Sequence, residues 1–183
     1  MKLTVKSRSG VRKSEVNQAR RAGEIPAILY APGEANHMLL VNEAEFSGAL
    51  RQIKQGQLPT TVFYLDFEGK EHKVVVKDIQ YNPVNYKVIH LDFQLVKDTI
   101  KVKIPLTCVG IADCAGIKLG GSLRQVIRHL KAECPADHIP SDIKVDVKDL
   151  GIKQKKRLID LVIPEGIKPL ISLNEVVVVI AKK

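Results

Sequence analysis

The chain has 183 residues, of which 45% are hydrophobic and 27% are charged, so its composition is that of an ordinary globular protein. Its length suits one large domain or two small ones, each with a core of modest size. The net charge of +9 favours a polyanionic partner, such as nucleic acid or an anionic membrane surface. No apolar run approaches the roughly 18 residues that span a bilayer, and no signal peptide follows Met1. We therefore expect a cytoplasmic protein without a membrane partner.

The sequence gives little support to a catalytic or metal-binding interpretation. It contains no G-x-S-x-G, P-loop or H-E-x-x-H motif. Cys108, Cys114 and Cys134 are odd in number and lack a C-x-x-C spacing, which indicates free thiols in a reducing compartment. His90 and Asp92 could form a metal or acid–base pair, but two ligands without a third are insufficient. We expect neither an enzyme nor a protein that holds a metal or another cofactor.

A basic element opens the chain. A short strand in LTVKSRSG is followed by VRKSEVNQARRA, residues 11–22, which predicts a helix or helical loop with Ser14 as candidate N-cap. The first 23 residues hold one acid, Glu15, and seven bases: Lys2, Lys6, Arg8, Arg12, Lys13, Arg20 and Arg21. A solvated surface is the plainer alternative, but this charge density favours contact with phosphates.

The middle of the first half predicts strands around one helix. IPAILYA, residues 25–31, is a compact apolar strand with its proline at the start. NEAEFSGALRQI predicts a helix with Asn42 as N-cap, and Phe46, Leu50 and Ile53 share one side of it. TTVFYLDF and EHKVVVKDIQ, joined at a glycine, predict a β-hairpin.

The stretch VVVKDIQYNPVNYKVIHLDF, residues 74–93, predicts two strands joined by a turn. In VIHLDF, period-two alternation places Ile89, Leu91 and Phe93 on the core face and Val88, His90 and Asp92 on the other face. Gln80 ends the first strand. Gln80 can donate and accept, His90 can donate to a base or a 2′-hydroxyl, and Asp92 can accept from amines or guanine N–H groups.

This polar face suits RNA, although an exposed strand with ordinary polar residues is the plainer alternative. Aromatic residues make up only 4% of the chain. We therefore expect shape and groove contacts to contribute more to RNA binding than base stacking does.

The second half predicts a separate β-rich domain. The pattern restarts near Val96 with TIKVKIPLTCVG, which predicts domains at residues 1–95 and 96–183. Strand-like runs lie at residues 100–109, 143–147, 158–163 and 176–180. In residues 123–134, LRQVIRHLKAEC, the apolar spacing favours a helix, whereas IRHLKAEC alternates like a strand. Periodicity alone leaves both open.

Several segments together resemble one known family. GEIPAILYA and KDIQYNPVNYKVIHLDF resemble the bacterial large-subunit ribosomal protein family that binds 5S rRNA, known as the twenty-fifth protein of that subunit and, in its long form, as the general stress protein. IPLTCVGIADCAGIKLGGSL, ECPADHIPSDIKVDVKDLGI and DLVIPEGI resemble the added C-terminal domain of the long form. The motifs keep the family's order and cover nearly the whole chain.

The resemblance implies a mainly β protein with a few helices. Its N-terminal domain is expected to be β-barrel-like, similar to the anticodon-binding domain of glutaminyl-tRNA synthetase, and to grip the loop E helix of 5S rRNA. A second β-rich domain follows. Carried over position by position and joined to the basic element, the expected RNA-binding residues are Arg8, Arg12, Lys13, Arg20, Arg21, Tyr30, Gln80, His90 and Asp92.

The chain also departs from the family pattern. The family commonly shows a glycine, a basic residue and then a serine followed by two arginines, where this chain has EVNQ at residues 15–18. The basic residue that usually follows the matching glutamine is Tyr81 here. Some RNA contacts are therefore expected to be lost or shifted, unless the neighbouring arginines compensate. The effect on affinity stays open.

The sequence thus predicts a non-enzymatic structural component of the large ribosomal subunit that binds 5S rRNA. Two alternatives stay open, a tRNA-binding module detached from a catalytic domain and a stress or interaction protein that acts off the ribosome. The sequence does not say whether the second domain contacts neighbouring ribosomal proteins or 23S rRNA, nor whether the protein has a stress-related role.

Overall fold

The computed structural model describes residues 1–8, 12–31, 33, 35–67, 69–136 and 138–182. It divides into two compact units, Met1–Lys97 and Asp98–Lys183. Each unit has its own sheets and its own buried residues. Within the described residues the protein is mainly β with three α-helices, which confirms the predicted fold class.

The first unit is a six-stranded barrel with two α-helices in its described part. Its strands are β1 (Lys2–Ser7), β2 (Glu24–Tyr30), β3 (His37–Asn42), β4 (Val62–Phe67), β5 (Lys70–Tyr81) and β6 (Val88–Leu95). The helices are α1 (Lys13–Arg21) and α2 (Glu43–Gln52), and a short 3-10 helix spans Leu58–Thr60. The strands close in the order β1-β3-β2-β6-β5-β4, with parallel pairs at β1/β4 and β2/β6.

The barrel core follows from period-two alternation along the strands. In β4, Phe63, Leu65 and Phe67 are buried and the residues between them are exposed. In β6, Leu91 and Phe93 are fully buried, which confirms them as core residues. The prediction for Ile89 is wrong: it is only half-buried, and Val88 packs against the core instead, because the pairing register shifts after Gln80. The rings of Phe63 and Phe93 meet edge to face, with centroids 6.5 Å apart. Burying a phenylalanine stabilises a fold by roughly 1.5–3 kcal/mol, so this contact strongly favours one orientation of each strand.

Helix α2 begins at the predicted cap. Oδ1 of Asn42 accepts hydrogen bonds from the backbone N–H groups of Ala44 (2.9 Å) and Glu45 (3.3 Å). Phe46 is fully buried and belongs to the barrel core. Oε2 of Glu45 accepts from the backbone N–H of Thr4 at 3.0 Å, so the same turn also joins α2 to β1.

Helix α1 has a different cap from the one predicted. Arg12 is the N-cap, with extended backbone angles and no capping hydrogen bond from its side chain, so the predicted cap at Ser14 is wrong. Ser14 lies within the first turn because the chain is already helical from Lys13. The predicted start at Val11 lies outside the described residues. No α1 side chain is fully buried, so α1 depends on polar contacts for its place on the barrel.

The second unit contains two sheets and one short α-helix in its described part. Its elements are β7 (Thr99–Val109), α3 (Ala115–Lys118), β8 (Gly121–Gln125), β9 (His129–Pro135), β10 (Ile143–Asp146), β11 (Lys155–Arg157), β12 (Lys168–Pro169) and β13 (Val176–Lys182). One sheet has the order β10-β7-β9-β12 and the other β11-β13-β8. Nε2 of Gln125 in β8 donates to the carbonyl of Leu106 in β7 at 2.8 Å, which ties the two sheets together.

The structure shows which of the predicted strands of this unit form, and whether residues 123–134 are helix or strand. Residues 123–134 contain no helix: they comprise the end of β8, a bend at residues 126–128 and most of β9. The runs at 100–109, 143–147 and 176–180 are confirmed as strands, apart from single end residues. The predicted strand at 158–163 is wrong, since Leu158–Asp160 is a 3-10 helix. Oδ2 of Asp160 accepts from the backbone N–H of Arg157 at 2.8 Å, and this local bond competes with strand pairing.

The three cysteines are free thiols. Burial raises the pKa of the Cys108 and Cys134 thiols, so both stay protonated at neutral pH. Within the described ranges, no group of three metal-ligating side chains is formed. No helix of the described chain is long and apolar enough to cross a membrane.

The cap of α2 makes a testable contribution to barrel stability. Asn42→Ala removes the acceptor for two backbone N–H groups and is expected to lower the free energy of unfolding of the first unit by about 1 kcal/mol. All four tyrosines of the chain lie in this unit and the chain has no tryptophan, so tyrosine fluorescence during urea unfolding reports this unit alone. Asn36→Ala, in an exposed loop, is the matched control. Equal midpoints for the two variants would contradict the role of Asn42.

Candidate RNA-binding surface

The outer face of β5, β6 and β2 brings together four of the residues predicted to bind RNA. β5 and β6 pair antiparallel with Gln80 opposite His90. Opposite residues on neighbouring strands share a face, with Cβ atoms about 5 Å apart. Asp92 follows His90 by two residues and therefore points the same way. β2 runs parallel to β6 with Tyr30 opposite Gln94, which is two residues beyond Asp92.

Two further side chains on this face were missed by the sequence reasoning. Asp78 lies opposite Asp92, and Gln94 lies opposite Tyr30. Each is two residues from a predicted site residue, so period-two alternation applied once more would have found both. We call the whole set the polar strand face: Tyr30, Asp78, Gln80, His90, Asp92 and Gln94.

The charges of the polar strand face favour a partner that brings hydrogen-bond donors. Two carboxylates, Asp78 and Asp92, oppose each other across the strand pair, and like charges in this position are unfavourable. Nζ of Lys77 donates to Oε1 of Gln94 at 3.0 Å, so one cation already lies beside the face. Amino and imino groups on base edges are donors of the kind that such carboxylates accept.

The side chains of His90 and Asp92 lie next to each other on this face. Nδ1 of His90 and Oδ1 of Asp92 are 3.0 Å apart. Both atoms are hidden from solvent, and neither has a hydrogen-bond partner of good geometry in the described part of the chain. The side chains remain 19% and 24% exposed. A molecule that approaches the face therefore meets an imidazole and a carboxylate side by side.

Arg20 docks helix α1 beside the polar strand face. Its Nε and Nη2 donate to the backbone carbonyl of Ile89 at 3.2 and 2.9 Å. Its Nη1 lies 3.5 Å from Oδ1 of Asn17, one turn earlier in the helix. Ile89 directly precedes His90, so the basic helix is held at the start of the strand that carries the polar groups. The sequence predicted Arg20 as a phosphate contact and did not predict this bond, because its acceptor is a backbone carbonyl 69 residues away.

The other predicted bases of α1 are exposed. Arg12, Lys13 and Arg21 are all accessible to solvent. Lys13, Asn17 and Arg21 follow one another at a spacing of four and so lie along one side of the helix. This side of α1 offers two cations to a phosphate backbone, in addition to Arg12 at the N-cap.

Arg8 is placed apart from the polar strand face. It follows β1, and its backbone N–H donates to the carbonyl of Met38 in β3 at 2.9 Å. In the barrel order, β3 and β2 separate β1 from β6. Nε of Arg8 is buried without a hydrogen-bond partner among the residues that the structure describes.

Two bases of the N-terminal element are paired with carboxylates of the barrel. Nζ of Lys2 bonds to Glu71, and Nζ of Lys6 lies 2.7 Å from Oε1 of Glu24. These hydrogen bonds raise the pKa of both ammonium groups. Because Lys2 and Lys6 are paired, the uncompensated positive charge of the element lies on Arg8, on the N-cap Arg12 and on α1.

Side-chain hydrogen bonds brace the turn between β5 and β6, which borders α1. Oδ1 of Asn82 accepts from the N–H of Val84 at 2.9 Å, and Oδ1 of Asn85 accepts from the N–H of Lys87 at 3.1 Å. Tyr86 has a left-handed φ of 54° and its side chain is exposed. A cleft of about 190 Å³ separates this turn from α1, with basic, amide and acidic groups around it.

These features define a class of protein: a two-domain β protein whose barrel carries a polar face beside a docked basic helix. Residues 3–93 match the model of the Ribosomal L25p family, and residues 99–183 match the model for ribosomal protein TL5, C-terminal domain. The chain is 44% identical to large ribosomal subunit protein bL25 of Chlamydia trachomatis serovar D and 44% identical to that of Chlamydia muridarum. It is 40% identical to that of Chlamydia pneumoniae. Each alignment covers 100% of both chains.

The chain therefore belongs to the Ribosomal L25p family and is a ribosomal protein. This confirms the resemblance drawn from its motifs, including the long form with an added C-terminal domain. The family is one of ribosomal proteins and not of enzymes.

The docking role of Arg20 can be separated from its charge. Arg20→Gln removes two hydrogen bonds to the Ile89 carbonyl, and hydrogen bonds from a charged group contribute about 1.5–3 kcal/mol each when well shielded. Because Arg20 is only half-buried, we expect roughly five- to tenfold faster amide hydrogen exchange across α1, measured by mass spectrometry. Arg21→Gln removes the same charge from an exposed position and is the matched control. Equal exchange rates in the two variants would show that Arg20 does not hold α1.

Proposed function

We propose that this chain is a structural component of the large ribosomal subunit that binds 5S rRNA, at the irregular loop E helix, through the polar strand face and α1. The observation that carries the proposal is the register that sets Gln80 opposite His90 with Asp92 on the same face. The names of the relatives and the sequence resemblance support the subunit and the RNA. Ribosomes work in the bacterial cytoplasm, where we therefore place the protein.

The polar strand face would supply selectivity for the RNA. A carboxylate near a polyanion is unfavourable unless it accepts hydrogen bonds, so Asp92 disfavours a regular backbone and favours exposed amino or imino groups. Gln80 and His90 add donors and an acceptor at a spacing fixed by the strand pair. The deep, narrow major groove of a regular A-form helix keeps its base edges out of reach of side chains, whereas an irregular RNA helix exposes base edges to them.

Helix α1 would supply most of the salt-dependent affinity. Lys13 and Arg21 lie along one side of the helix and Arg12 precedes it, and each contact with a phosphate releases condensed counterions. Glu15 and the uncharged residues after it lower the charge of α1 relative to the family pattern. Arg20 would act mainly by positioning the helix, because its guanidinium already donates to the Ile89 carbonyl.

Tyr30 would contact the RNA from the edge of the polar strand face. Its side chain is 38% exposed, on the strand that borders β6. A tyrosine in this position can lay its ring against a ribose or base and donate from its hydroxyl group. One exposed ring is too few for a stacking platform, so shape and hydrogen bonding remain the main source of recognition.

The proposal is tested by titrating the full-length protein with a loop E fragment of 5S rRNA and with a regular RNA duplex of equal length, across a salt series. Preference for the irregular fragment at every salt concentration is expected. A transfer RNA of similar size, added as competitor, tests the alternative of a tRNA-binding module. Equal binding to fragment and duplex, or preference for the transfer RNA, would overturn the proposal.

Asp92 is expected to affect selectivity more than salt dependence. Asp92→Ala should reduce the preference for the loop E fragment by roughly tenfold, since one good base contact contributes about 1–3 kcal/mol of discrimination. The slope of log affinity against log salt should change little, because a carboxylate neutralises no phosphate. Asp66→Ala, on β4 outside the polar strand face, is the matched control. Equal loss of affinity for fragment and duplex would count against Asp92 as a selectivity residue.

Lys13 is expected to behave in the opposite way. Lys13→Ala should lower affinity for the fragment and the duplex alike and reduce the salt slope by roughly one contact. Lys54→Ala, in the loop after α2 and remote in sequence from the proposed surface, is the matched control. If the slope stays unchanged in Lys13→Ala, the residue does not contact a phosphate.

A further inference from the structure

The outer face of the four-stranded sheet in the second unit is lined with lysines. Along β7, the exposed residues alternate with the buried residues Ile100, Val102 and Ile104, so they share the outer face. Pairing registers place outward residues of β9, β10 and β12 beside them. The basic sheet face consists of Lys101, Lys103, Lys131, Lys144 and Lys168.

Two of these lysines oppose each other directly. Lys103 in β7 is paired with Lys131 in β9, and both are exposed. Opposite side chains in an antiparallel pair lie about 5 Å apart at Cβ, and like charges there repel. Neither ammonium group forms an ion pair or hydrogen bond within the described part of the chain. The sheet thus retains an unfavourable pair that an anion placed between the two lysines would relieve.

Carboxylates compensate the face only in part. Glu133 lies between Lys101 and Lys168 in the register and is half-buried. Asp146 follows Lys144 by two residues, and its Oδ1 accepts from the backbone N–H of Lys148 at 3.0 Å. The five lysines outnumber these acids, so the face keeps an excess of positive charge, although Glu133, two residues from Lys131 on the same face, borders the opposed pair.

The composition of the face favours an RNA backbone over a protein partner. Protein interfaces are enriched in tyrosine, tryptophan and arginine and depleted in lysine. Among the residues that the structure describes, the large exposed apolar residue beside this face is Leu170, whose backbone N–H donates to the carbonyl of Lys131. His129, opposite Pro105, is the nearest ring in the described register. Lysine is a compact point charge that binds phosphate without demanding a planar partner.

We propose that the basic sheet face binds the phosphate backbone of ribosomal RNA, with Lys103 and Lys131 on either side of one phosphate or on two consecutive phosphates. This inference goes beyond the proposed binding of 5S rRNA, because it concerns the other unit and requires no base recognition. It gives the second unit its own anchoring contact in the ribosomal particle.

The first test compares lysine reactivity in the free protein and in purified large subunits. Acetylation with a water-soluble reagent, followed by mass spectrometry, is expected to modify Lys103 and Lys131 in the free chain and to spare both in the subunit. Ultraviolet crosslinking of the same particles should leave nucleotide adducts on peptides from β7 or β9. Unchanged reactivity in the subunit, or protection accompanied by protein crosslinks alone, would overturn the proposal.

The second test uses full-length variants and large subunits from cells that lack this protein. Lys103→Glu with Lys131→Glu should lower the salt slope of binding to these particles by about two contacts and weaken binding at least tenfold. Arg124→Glu with Lys155→Glu makes the same charge change on the outer face of the other sheet, where Val179 separates the two residues in the register. An equal or larger effect of this control pair would show that the four-stranded sheet is not the binding face.

Both variants should bind the isolated loop E fragment with unchanged affinity. This readout separates the two proposals, because failure of 5S rRNA binding would change the fragment titration and leave the lysine protection in β7 and β9 unaffected. Circular dichroism and the urea midpoint show whether each variant is folded. In a folded double variant, unchanged binding to the subunits would overturn the role of the basic sheet face.

Discussion

The pairing register between β5 and β6 determines which side chains the barrel shows to its surroundings. With Ile79 opposite Leu91 and Gln80 opposite His90, apolar residues face the core and polar residues face outward. A slip of one residue would turn His90 and Asp92 inward and Leu91 outward, which the cost of burying charge forbids. The pairing is irregular after Val76 and after Gln80, on either side of residues 78–80. Such bulges increase the local twist of the strands. The proposed selectivity of the protein depends on that register.

The distribution of charge divides the work between elements. Lys2 and Lys6 are paired with barrel carboxylates, and Arg20 is bonded to the carbonyl of Ile89, so these three bases stabilise the barrel and the place of α1. Exposed cations lie on α1 in the first unit and on both sheets in the second unit. The net charge of +9 is therefore distributed over several separate surfaces of the chain. Phosphate contact at more than one of them would explain a ribosomal protein with two compact units.

Much of the architecture follows from local pattern, and the parts that do not have identifiable physical causes. Alternation located Leu91 and Phe93 in the core, and it misplaced Ile89 because the pairing register shifts after Gln80. Asn42 was found because its side chain bonds to neighbours in sequence. The barrel came from family resemblance, since strand order depends on pairings that no local pattern contains. The contact of Arg20 with Ile89 and the opposition of Lys103 and Lys131 needed long-range register. The strand predicted at residues 158–163 failed because a single backbone bond to Asp160 favours a 3-10 helix.

The central claim is that the RNA lies across β5, β6 and α1, and it is tested most directly by nuclear magnetic resonance. Backbone amide shifts of the full-length protein would be followed while the loop E fragment is added. The account predicts the largest shift changes around Gln80, His90, Asp92 and Lys13. The amide shifts of β1 and β4 should not change. Changes concentrated on β1 and β4, with the polar strand face unaffected, would contradict it.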